Sequence, residues 1–282
     1  MENPKQSKVI LVTGVSSGFG KETVRLLALK RHIVYGTIRK GNADAESVNY
    51  IIMDLTDPSS MERAVEEVIR KEGRIDVLVN NGGMHTGGPA ETIPLEYARL
   101  QMDTSFMGMV QMTRLVLPVM RRQSSGMIIN ISSLGGLMGL PFQSFYSASK
   151  FAMEGFSEAL RMEVRKFNIK VVVINPGDFH TSNTVNRRGY LAPVGVDDPY
   201  REQYKNALSV IENDETNGGN PVRLAEKISM IVDSRNPLQR YVVASFDQKL
   251  ALFLKRILPE SLFMSLLCSH YRILSRVMRD SR

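Results

Sequence analysis

Tyr146 and Lys150 are the residues whose types and spacing most directly suggest chemistry. They stand four positions apart, and residues with that separation share one face of a helix. A phenol has a pKa near ~10, so it exchanges protons poorly at neutral pH unless a nearby cation favours the phenolate. We expect Lys150 to be that cation and to lower the pKa of Tyr146. Ser133 adds a hydroxyl just beyond an apolar strand, earlier in the chain.

A glycine-rich turn after the first predicted strand suggests where a phosphate would bind. Glycines at positions 14, 18 and 20 allow a sharp turn and keep side chains away from the following helix N-terminus, where a pyrophosphate approaches. A plain glycine-rich loop is the alternative, which the strand before and the helix after make unfavourable. The predicted contacts of a dinucleotide here are Gly14, Ser16, Ser17, Gly18, Phe19 and Gly20.

The end of the second predicted strand indicates which dinucleotide binds. An acidic residue there would accept hydrogen bonds from the ribose of NAD(H), but residues 36–40 contain none. Arg39, with Lys40 beside it, instead offers donors to a 2′-phosphate. The sequence therefore favours NADP(H), with NAD(H) as the alternative if Arg39 stacks on adenine or faces water.

Four motifs together resemble the short-chain dehydrogenase/reductase family, over the chain through about Ser245. Within the family, the resemblance is nearest to the 17β-hydroxysteroid and retinol dehydrogenase branch, through residues 34–39 and 135–155. The four motifs are Thr13-Gly14-x-x-x-Gly18-x-Gly20, Asn80-Asn81-Gly82-Gly83, Ser133, and Tyr146-x-x-x-Lys150.

The resemblance implies an oxidoreductase that interconverts a carbonyl and an alcohol. Tyr146 would be the acid and base, Ser133 would hydrogen-bond the reacting oxygen, and Lys150 would hold the nicotinamide ribose. Many members add an asparagine that relays protons to the lysine. Ser105 stands at that position here, so the relay would need an additional water or turnover would be slower.

The same resemblance assigns further cofactor contacts. Asp54 would receive the adenine amino group, although Thr56-Asp57-Pro58 also indicates a helix-leading turn at this point. Gly82 replaces the alanine of the family pattern, with a mild loss of rigidity expected. The implied contacts near the ribose and nicotinamide are Asn81, Gly82, Tyr146, Lys150, Pro176, Gly177, Phe179 and Thr181. His180, in the last of these motifs, is expected to be an ordinary loop residue.

Short β-rich apolar runs alternate with longer helical patterns, which predicts an α/β fold. We expect a single Rossmann-type, doubly wound domain with a seven-stranded parallel sheet, helices on both faces and a C-terminal helical extension. The predicted strands are Lys8 to Thr13, His32 to Thr37, Val48 to Met53, Ile75 to Asn80, Met127 to Ile131, Lys170 to Asn175 and Arg240 to Ala244. Helices are predicted near 18–30, 59–72, 95–122 and 145–167.

The chain is expected to divide into a catalytic domain, 1–246, and an amphipathic basic extension, 247–282. A long polar segment at about 182–220 is predicted to be the substrate lid, with Tyr190, Tyr200 and Tyr204 as candidate contacts. The extension would either pack over the cleft or a partner subunit, or lie on an anionic membrane.

Composition excludes several other classes. The net charge is +7, but the basic residues are scattered without the aromatic interleaving of a nucleic-acid surface. The histidines and the single cysteine, Cys268, show no metal-ligand spacing, and no run of 18 apolar residues predicts a membrane span. The beginning of the chain lacks the apolar stretch of a signal peptide, so we expect a cytoplasmic protein.

These observations predict an NADP(H)-dependent oxidoreductase that acts on a hydrophobic ketone or alcohol: a steroid, a retinoid, or a long-chain keto-lipid such as 3-ketosphinganine. Apolar residues around Ser133 and Tyr146 suit such a substrate, although they would equally pack against the sheet. A non-catalytic NADP(H)-binding regulator of the same fold is the alternative that Ser105 keeps open. By resemblance, we expect a homodimer or homotetramer that pairs through the helices near 101–122 and 145–167.

Overall fold

Seven parallel strands form one sheet at the centre of the molecule. The computed structural model describes residues 7–41 and 47–273, so the arginines at 276, 279 and 282 of the expected basic extension lie outside the described residues. The strands are β1 (Val9–Val12), β2 (Ile33–Ile38), β3 (Asn49–Ile52), β4 (Val77–Asn80), β5 (Gly126–Ile131), β6 (Ile169–Pro176) and β7 (Arg240–Val243). Each lies within two residues of its predicted bounds, which confirms the predicted sheet.

Ten α-helices connect or follow the strands in the described part of the chain. They are α1 (Gly18–Leu29), α2 (Pro58–Glu72), α3 (Leu95–Met102), α4 (Gly108–Gln123), α5 (Ser144–Val164), α6 (Asn183–Arg187), α7 (Arg201–Thr216), α8 (Val222–Asp233), α9 (Phe246–Ile257) and α10 (Glu260–His270). The single helix predicted near 95–122 is in fact two helices, because one turn of π-helix, Asp103–Met107, separates α3 from α4. Helix α8 has no counterpart among the predicted helices.

The strand order is β3-β2-β1-β4-β5-β6-β7, and all neighbouring strands pair in parallel. Helices cover both faces of this sheet. Residues of α2, α4 and α5 pack on one face, and residues of α1 and α8 pack on the other. A parallel sheet buried on both faces needs apolar residues at successive positions, which explains why the strand sequences are nearly continuous apolar runs. The architecture is the doubly wound fold that the alternating pattern predicted.

The C-terminal helices α9 and α10 lie against the segment that follows β5. Leu254, Leu258 and Phe263 pack against Leu134 and Met138. Lys255 donates a hydrogen bond to the Leu137 carbonyl, 2.7 Å away. Several apolar side chains of the two helices remain exposed, among them Phe246, Phe253, Ile257, Leu262, Met264 and Leu266. Within the described ranges, no helix combines the length and apolar character that crossing a bilayer would need.

Truncating a central core residue should destabilise the fold strongly. Ile129 lies on β5 and is fully buried, so Ile129→Ala removes buried methyl groups and leaves a cavity. We expect the free energy of unfolding to fall by about 2–5 kcal/mol in chemical denaturation. Ile52→Ala, at a β3 position that is 72% exposed, is the matched control and should change stability by at most about 0.5 kcal/mol. Equal losses in both variants would contradict this account of the core.

Candidate functional site

A cleft of about 450 Å³ opens at the carboxyl ends of the central strands. In doubly wound sheets the chain leaves neighbouring strands in opposite directions at the point where the strand order reverses, and the crevice formed there binds ligands. Here the reversal lies between β1 and β4. The volume falls within the range usual for small-molecule sites.

The glycine-rich turn after β1 forms one wall of the cleft, and close backbone contacts explain its glycines. A Cβ atom on Gly14, whose φ is +69°, would lie 2.6 Å from the Gly82 Cα. A Cβ on Gly20 would lie 2.3 Å from the Gly14 carbonyl oxygen. The Asn81 side-chain amide donates to the Thr13 and Gly14 carbonyls at 2.9 Å. Asn81 therefore holds the turn in place in addition to lining the cleft.

The N-terminus of α1, where backbone N–H groups have no partner within the helix, forms part of this wall. Ser17 is the residue before the helix, and its side chain makes no capping hydrogen bond to the helix. Ser16, Ser17, Gly18 and Phe19 all line the cleft. Unpaired N–H groups and the helix dipole attract anions, so the turn fits a pyrophosphate.

Gly82, which departs from the family pattern, accommodates a neighbouring leucine. A Cβ at this position would lie 2.6 Å from the Leu55 Cδ1 and 3.2 Å from the Thr13 Oγ1. The Gly82 N–H donates to that Thr13 hydroxyl at 2.9 Å. The missing methyl group thus leaves room for Leu55.

Arg39 and Asp54 line the cleft just beyond the carboxyl ends of β2 and β3. Arg39 is exposed at the end of β2. Burial raises the pKa of Asp54, but hydrogen bonds from Thr56 and the charge of Arg39 outweigh it, so the pKa is lowered. The Asp54 carboxylate accepts from the Thr56 N–H at 2.8 Å, and Asp57 caps α2 as the turn interpretation predicted. Asp54 thus serves the turn and also faces the cleft.

Ser133, Tyr146 and Lys150 meet at the middle of the cleft, which all three line. Ser133 follows β5, and α5 presents Tyr146 and Lys150 on one face. The Ser133 side chain lies close enough to the Tyr146 phenol to affect its pKa. The Lys150 ammonium donates to the Ile131 carbonyl at 2.9 Å and lies 5.8 Å from the centre of the Tyr146 ring. The arrangement therefore brings a phenol, a hydroxyl and an ammonium group together at one part of the cleft.

The pKa of Tyr146 differs from the expectation stated above. Burial raises it to about 12, and the nearby Ser133 side chain only partly offsets this. The expectation of a pKa lowered by Lys150 is therefore wrong for this state of the site. Burial also acts on Lys150, lowering its pKa to about 8 against the opposing charge of Glu154. Lys150 thus loses its proton more readily than an exposed lysine does.

The buried carboxylate of Glu154, one helical turn after Lys150, ties β6 and β7 to α5. Asn175 on β6 donates to the Glu154 carboxylate at 2.6 Å and to the Ser133 carbonyl at 3.0 Å. Arg240 on β7 forms a 2.7 Å ion pair with the same carboxylate. The sequence analysis missed this network, although Glu154 stands four residues after Lys150 and so on the same helical face.

His85 stacks on the Tyr146 ring, with ring centres 4.0 Å apart and planes 21° apart. Burial, followed by the charge of Arg187, lowers the pKa of His85 well below its ordinary value. Arg187 of α6 is buried and forms a bidentate pair with Glu215 of α7 at 2.6 and 2.9 Å. An Arg187 nitrogen also lies 3.4 Å from the His85 Nδ1. The segment predicted to be the lid thereby connects to Tyr146 through His85, a contact that no sequence motif indicated.

Ser105 lies in the π-helical turn, is fully buried and does not appear among the residues that line the cleft. Its hydroxyl accepts from the Met84 N–H at 3.1 Å and from the Gln101 amide at 2.9 Å. Gln101 also donates to Ser149, next to Lys150 on α5. Gln101, which the sequence analysis missed, therefore occupies the polar space between this turn and α5. The proton relay through Ser105 stays a prediction.

The segment that begins at the last residue of β6 lines the cleft and contacts the beginning of α1. Pro176, Gly177, Phe179 and Thr181 line the cleft, as the sequence analysis expected of nicotinamide contacts. The rings of Phe179 and Phe19 pack edge to face with centres 5.0 Å apart. His180 is exposed, and its Nδ1 lies 3.0 Å from the Thr216 carbonyl, as expected for a loop residue.

The three tyrosines that were predicted to contact the substrate from the lid, Tyr190, Tyr200 and Tyr204, lie in different surroundings. Tyr190 lines the cleft. Tyr200 instead donates to Glu91 at the surface, at 2.8 Å. Tyr204 is buried against Phe142, and its hydroxyl donates to the Gly87 carbonyl at 3.3 Å. Of these three candidates, only Tyr190 faces the place where a substrate would bind.

The carboxyl of Asp178 should make stability depend on pH. Burial, with the charges of Asp214 and Glu215, raises its pKa from 3.8 to about 6. A raised pKa means that its contribution to stability is present below pH ~4 and is lost as the pH rises through about 6. Asp178→Asn removes this loss, which amounts to about 1–3 kcal/mol of the free energy of unfolding. The melting temperature of the variant should therefore exceed that of the unsubstituted protein by more at about pH 7.5 than at about pH 4. Asp197→Asn, at an exposed position, is the control; an equal gain at both pH values would contradict the prediction.

Comparisons with known proteins agree with this geometry. Residues 8–190 match the family model described as short chain dehydrogenase. A 3-ketodihydrosphingosine reductase of Bacteroides thetaiotaomicron is 45% identical over 268 residues, covering 95% of this chain and 99% of the relative. The crystal structure of a short-chain dehydrogenase from Streptomyces avermitilis has a TM-score of 0.80 at 30% identity and covers 93% of this chain and 96% of its own. A serine dehydrogenase complexed with NADP+ has a TM-score of 0.73 at 25% identity, over 85% of this chain and 95% of its own. The chain therefore belongs to the short-chain dehydrogenase/reductase family of nicotinamide-dependent oxidoreductases.

Proposed function

We propose that this protein is an NADPH-dependent reductase of a long-chain ketone, of the 3-ketosphinganine type. The observation that carries the proposal is the cluster of Ser133, Tyr146 and Lys150, which line the cleft together. The relative that is 45% identical over nearly the whole chain is named for reduction of 3-ketodihydrosphingosine, another name for 3-ketosphinganine. Reduction is the proposed direction because Arg39 favours NADPH.

The residues of the cleft divide the proposed chemistry between them. Ser133 donates a hydrogen bond to the substrate carbonyl oxygen, and Tyr146 gives its phenolic proton to the alkoxide that develops there. Lys150 holds the nicotinamide ribose hydroxyls and stabilises the phenolate that remains. The bound cofactor supplies the hydride. Because Tyr146 has a high pKa in the absence of ligands, it is fully protonated before reduction, as a proton donor must be.

The residues at the two ends of the cleft fit an extended dinucleotide. The α1 N-terminus with Gly14, Ser16 and Ser17 would take the pyrophosphate, and Asp54 the adenine. Arg39 would pair with the 2′-phosphate. Asn81 and Gly82 would lie beside the ribose, and the segment Pro176 to Thr181 beside the nicotinamide. The serine dehydrogenase that is 25% identical was solved with NADP+ bound, which supports a nicotinamide dinucleotide as the ligand of this cleft.

Apolar surface beside Ser133 supports a long-chain substrate. Leu140 lines the central cleft and also a second, largely apolar groove that runs between residues 139–141 and the C-terminal helices. Phe151, Leu258, Phe263 and Met264 line this groove. An alkyl chain attached to a carbonyl at Tyr146 would leave the cleft past Leu140 and lie in this groove.

The remaining expectations form part of the same proposal. Residues 1–246 would be the catalytic domain with its lid at about 182–220, and 247–282 the extension. The exposed apolar side chains of α9 and α10 would contact a membrane surface from the cytoplasm, where a lipid substrate is accessible. Exposed Met107, Phe151 and Met162 on or beside α4 and α5 support pairing of subunits through these helices.

Removing the proposed proton donor should abolish reduction. With 3-ketodihydrosphingosine and NADPH, Tyr146→Phe should lower kcat by about 10²–10⁴-fold, because positioned acid catalysis contributes about that much. NADPH binding, measured by titration, should change far less. Tyr200→Phe is the matched control, because Tyr200 hydrogen-bonds Glu91 away from the cleft. Unchanged NADPH oxidation in Tyr146→Phe would contradict the proposed mechanism.

Removing the guanidinium of Arg39 should change cofactor preference. A charge-assisted contact with phosphate is worth about 1.5–3 kcal/mol, so Arg39→Ala should lower kcat/KM for NADPH by about 10–100-fold. NADH lacks the phosphate, and its kcat/KM should change by at most about threefold. Arg25→Ala, an exposed α1 position away from the cleft, is the control. A parallel loss with both cofactors would assign Arg39 to general adenosine binding instead.

A further inference from the structure

The end of the cleft beneath the lid is acidic, although the whole chain carries a net charge of +7. Asp178, Asp214 and Glu215 line this end. Asp178 follows β6, and the other two stand at the end of α7. Asp178 and Glu215 lie close enough to Tyr146 to raise the pKa of its phenol. The acidic end therefore adjoins the point where the carbonyl would react.

The three carboxylates differ in how their charge is balanced. Glu215 is fully engaged by the Arg187 guanidinium and by the Thr184 hydroxyl, 2.6 Å away. Asp178 accepts from the neutral amide of Gln248, and among the described residues it forms no salt bridge. Asp214 lies 3.1 Å from the half-exposed ring of His270. Two carboxylates thus face the cleft without a lysine or arginine partner in the described part of the chain.

Tyr271 provides a second and independent sign of a ligand. Its side chain comes from the turn after α10, is 9% exposed and lines the same cleft, with its ring against Ile211. Its hydroxyl makes no hydrogen bond to any residue in the described ranges and, because it is not fully enclosed by protein, it is open to the cleft. The same three carboxylates, after burial, raise its pKa, so they lie near it. A polar group of a ligand would satisfy this hydroxyl.

We propose that Asp178, Asp214 and Tyr271 form a subsite for a protonated amine on the carbon next to the reacting carbonyl. Carboxylates bind ammonium groups through short, charge-assisted hydrogen bonds, and the phenol hydrogen-bonds the same polar head. The inference rests on the proposed function and deepens it, because it assigns residues of this chain to the amine that 3-ketosphinganine carries beside its carbonyl. The polar head then lies beside Asp178 and Asp214, and the alkyl chain leaves past Leu140, which packs in the same apolar cluster as the Tyr271 ring.

The subsite also explains an unfavourable feature of the fold. Clustered carboxylates repel one another, and burial of Asp178 adds to the penalty. A bound ammonium would relieve this repulsion. The acidic end would equally disfavour a fatty acid or a phosphorylated lipid, because an anionic head would meet like charges there.

The test compares two ketones that differ only in the amine. 3-Ketodihydrosphingosine and its des-amino analogue, 1-hydroxyoctadecan-3-one, are reduced with NADPH, and the ratio of their kcat/KM values is the readout. The ratio should favour the amine in the unsubstituted protein and should fall about tenfold in Asp214→Asn and several-fold in Tyr271→Phe. Glu202→Gln, an exposed carboxylate on the same helix α7, should leave the ratio unchanged.

The outcomes separate the two proposals. Reduction of both ketones with a ratio that neither variant alters would overturn the subsite and leave the proposed reductase standing. Reduction of neither ketone would overturn the proposed function. In that case, calorimetric binding of dihydrosphingosine and of the des-amino alcohol to the NADP+-loaded protein still measures the subsite. Equal affinity for the two would overturn it, and a preference for the amine that Asp214→Asn removes would support it.

Discussion

The buried carboxylate of Glu154 is the interaction on which the geometry of the active site depends. It binds Asn175 and Arg240, and it supports the charge of Lys150 one helical turn away. Asn175 in turn holds the carbonyl of Ser133. The Glu154 side chain thus holds α5 against β6 and β7 and, through Asn175, against the segment after β5. This arrangement fixes the relative positions of Ser133, Tyr146 and Lys150. A buried charge is tolerated here because each of its oxygens has a partner.

The sequence predicted the sheet and the central site residues because both depend on local pattern. Apolar runs identified all seven strands, and the helical spacing of Tyr146 and Lys150 placed them on one face. The pattern did not predict α8 or the π-helical turn that carries Ser105. Contacts between distant parts of the chain were also missed, such as His85 with Tyr146 and Arg187 with Glu215. These contacts depend on how residues 182–220 and the segment around His85 pack against the rest of the domain. Residue spacing within one segment does not encode such packing.

The pKa of Tyr146 shows the same limit in energetic terms. The four-residue spacing correctly placed the Lys150 ammonium near the Tyr146 phenol, but it does not reveal how far the two groups are buried from water. In the folded protein, water is excluded from both groups, and desolvation outweighs their attraction. The phenol therefore stays protonated and the lysine becomes a weaker base, which suits a site that must first donate a proton.

The position of Tyr271 has a consequence for how such enzymes diverge. The family model ends at residue 190, whereas Asp214, Glu215 and Tyr271 all come later in the chain. Two of the three residues of the proposed amine subsite, Asp214 and Tyr271, therefore lie beyond the part of the chain that the family model matches, and Asp178 lies within it. If the proposed subsite holds, substitutions in the later stretch would change which substrate binds and leave Ser133, Tyr146 and Lys150 in place.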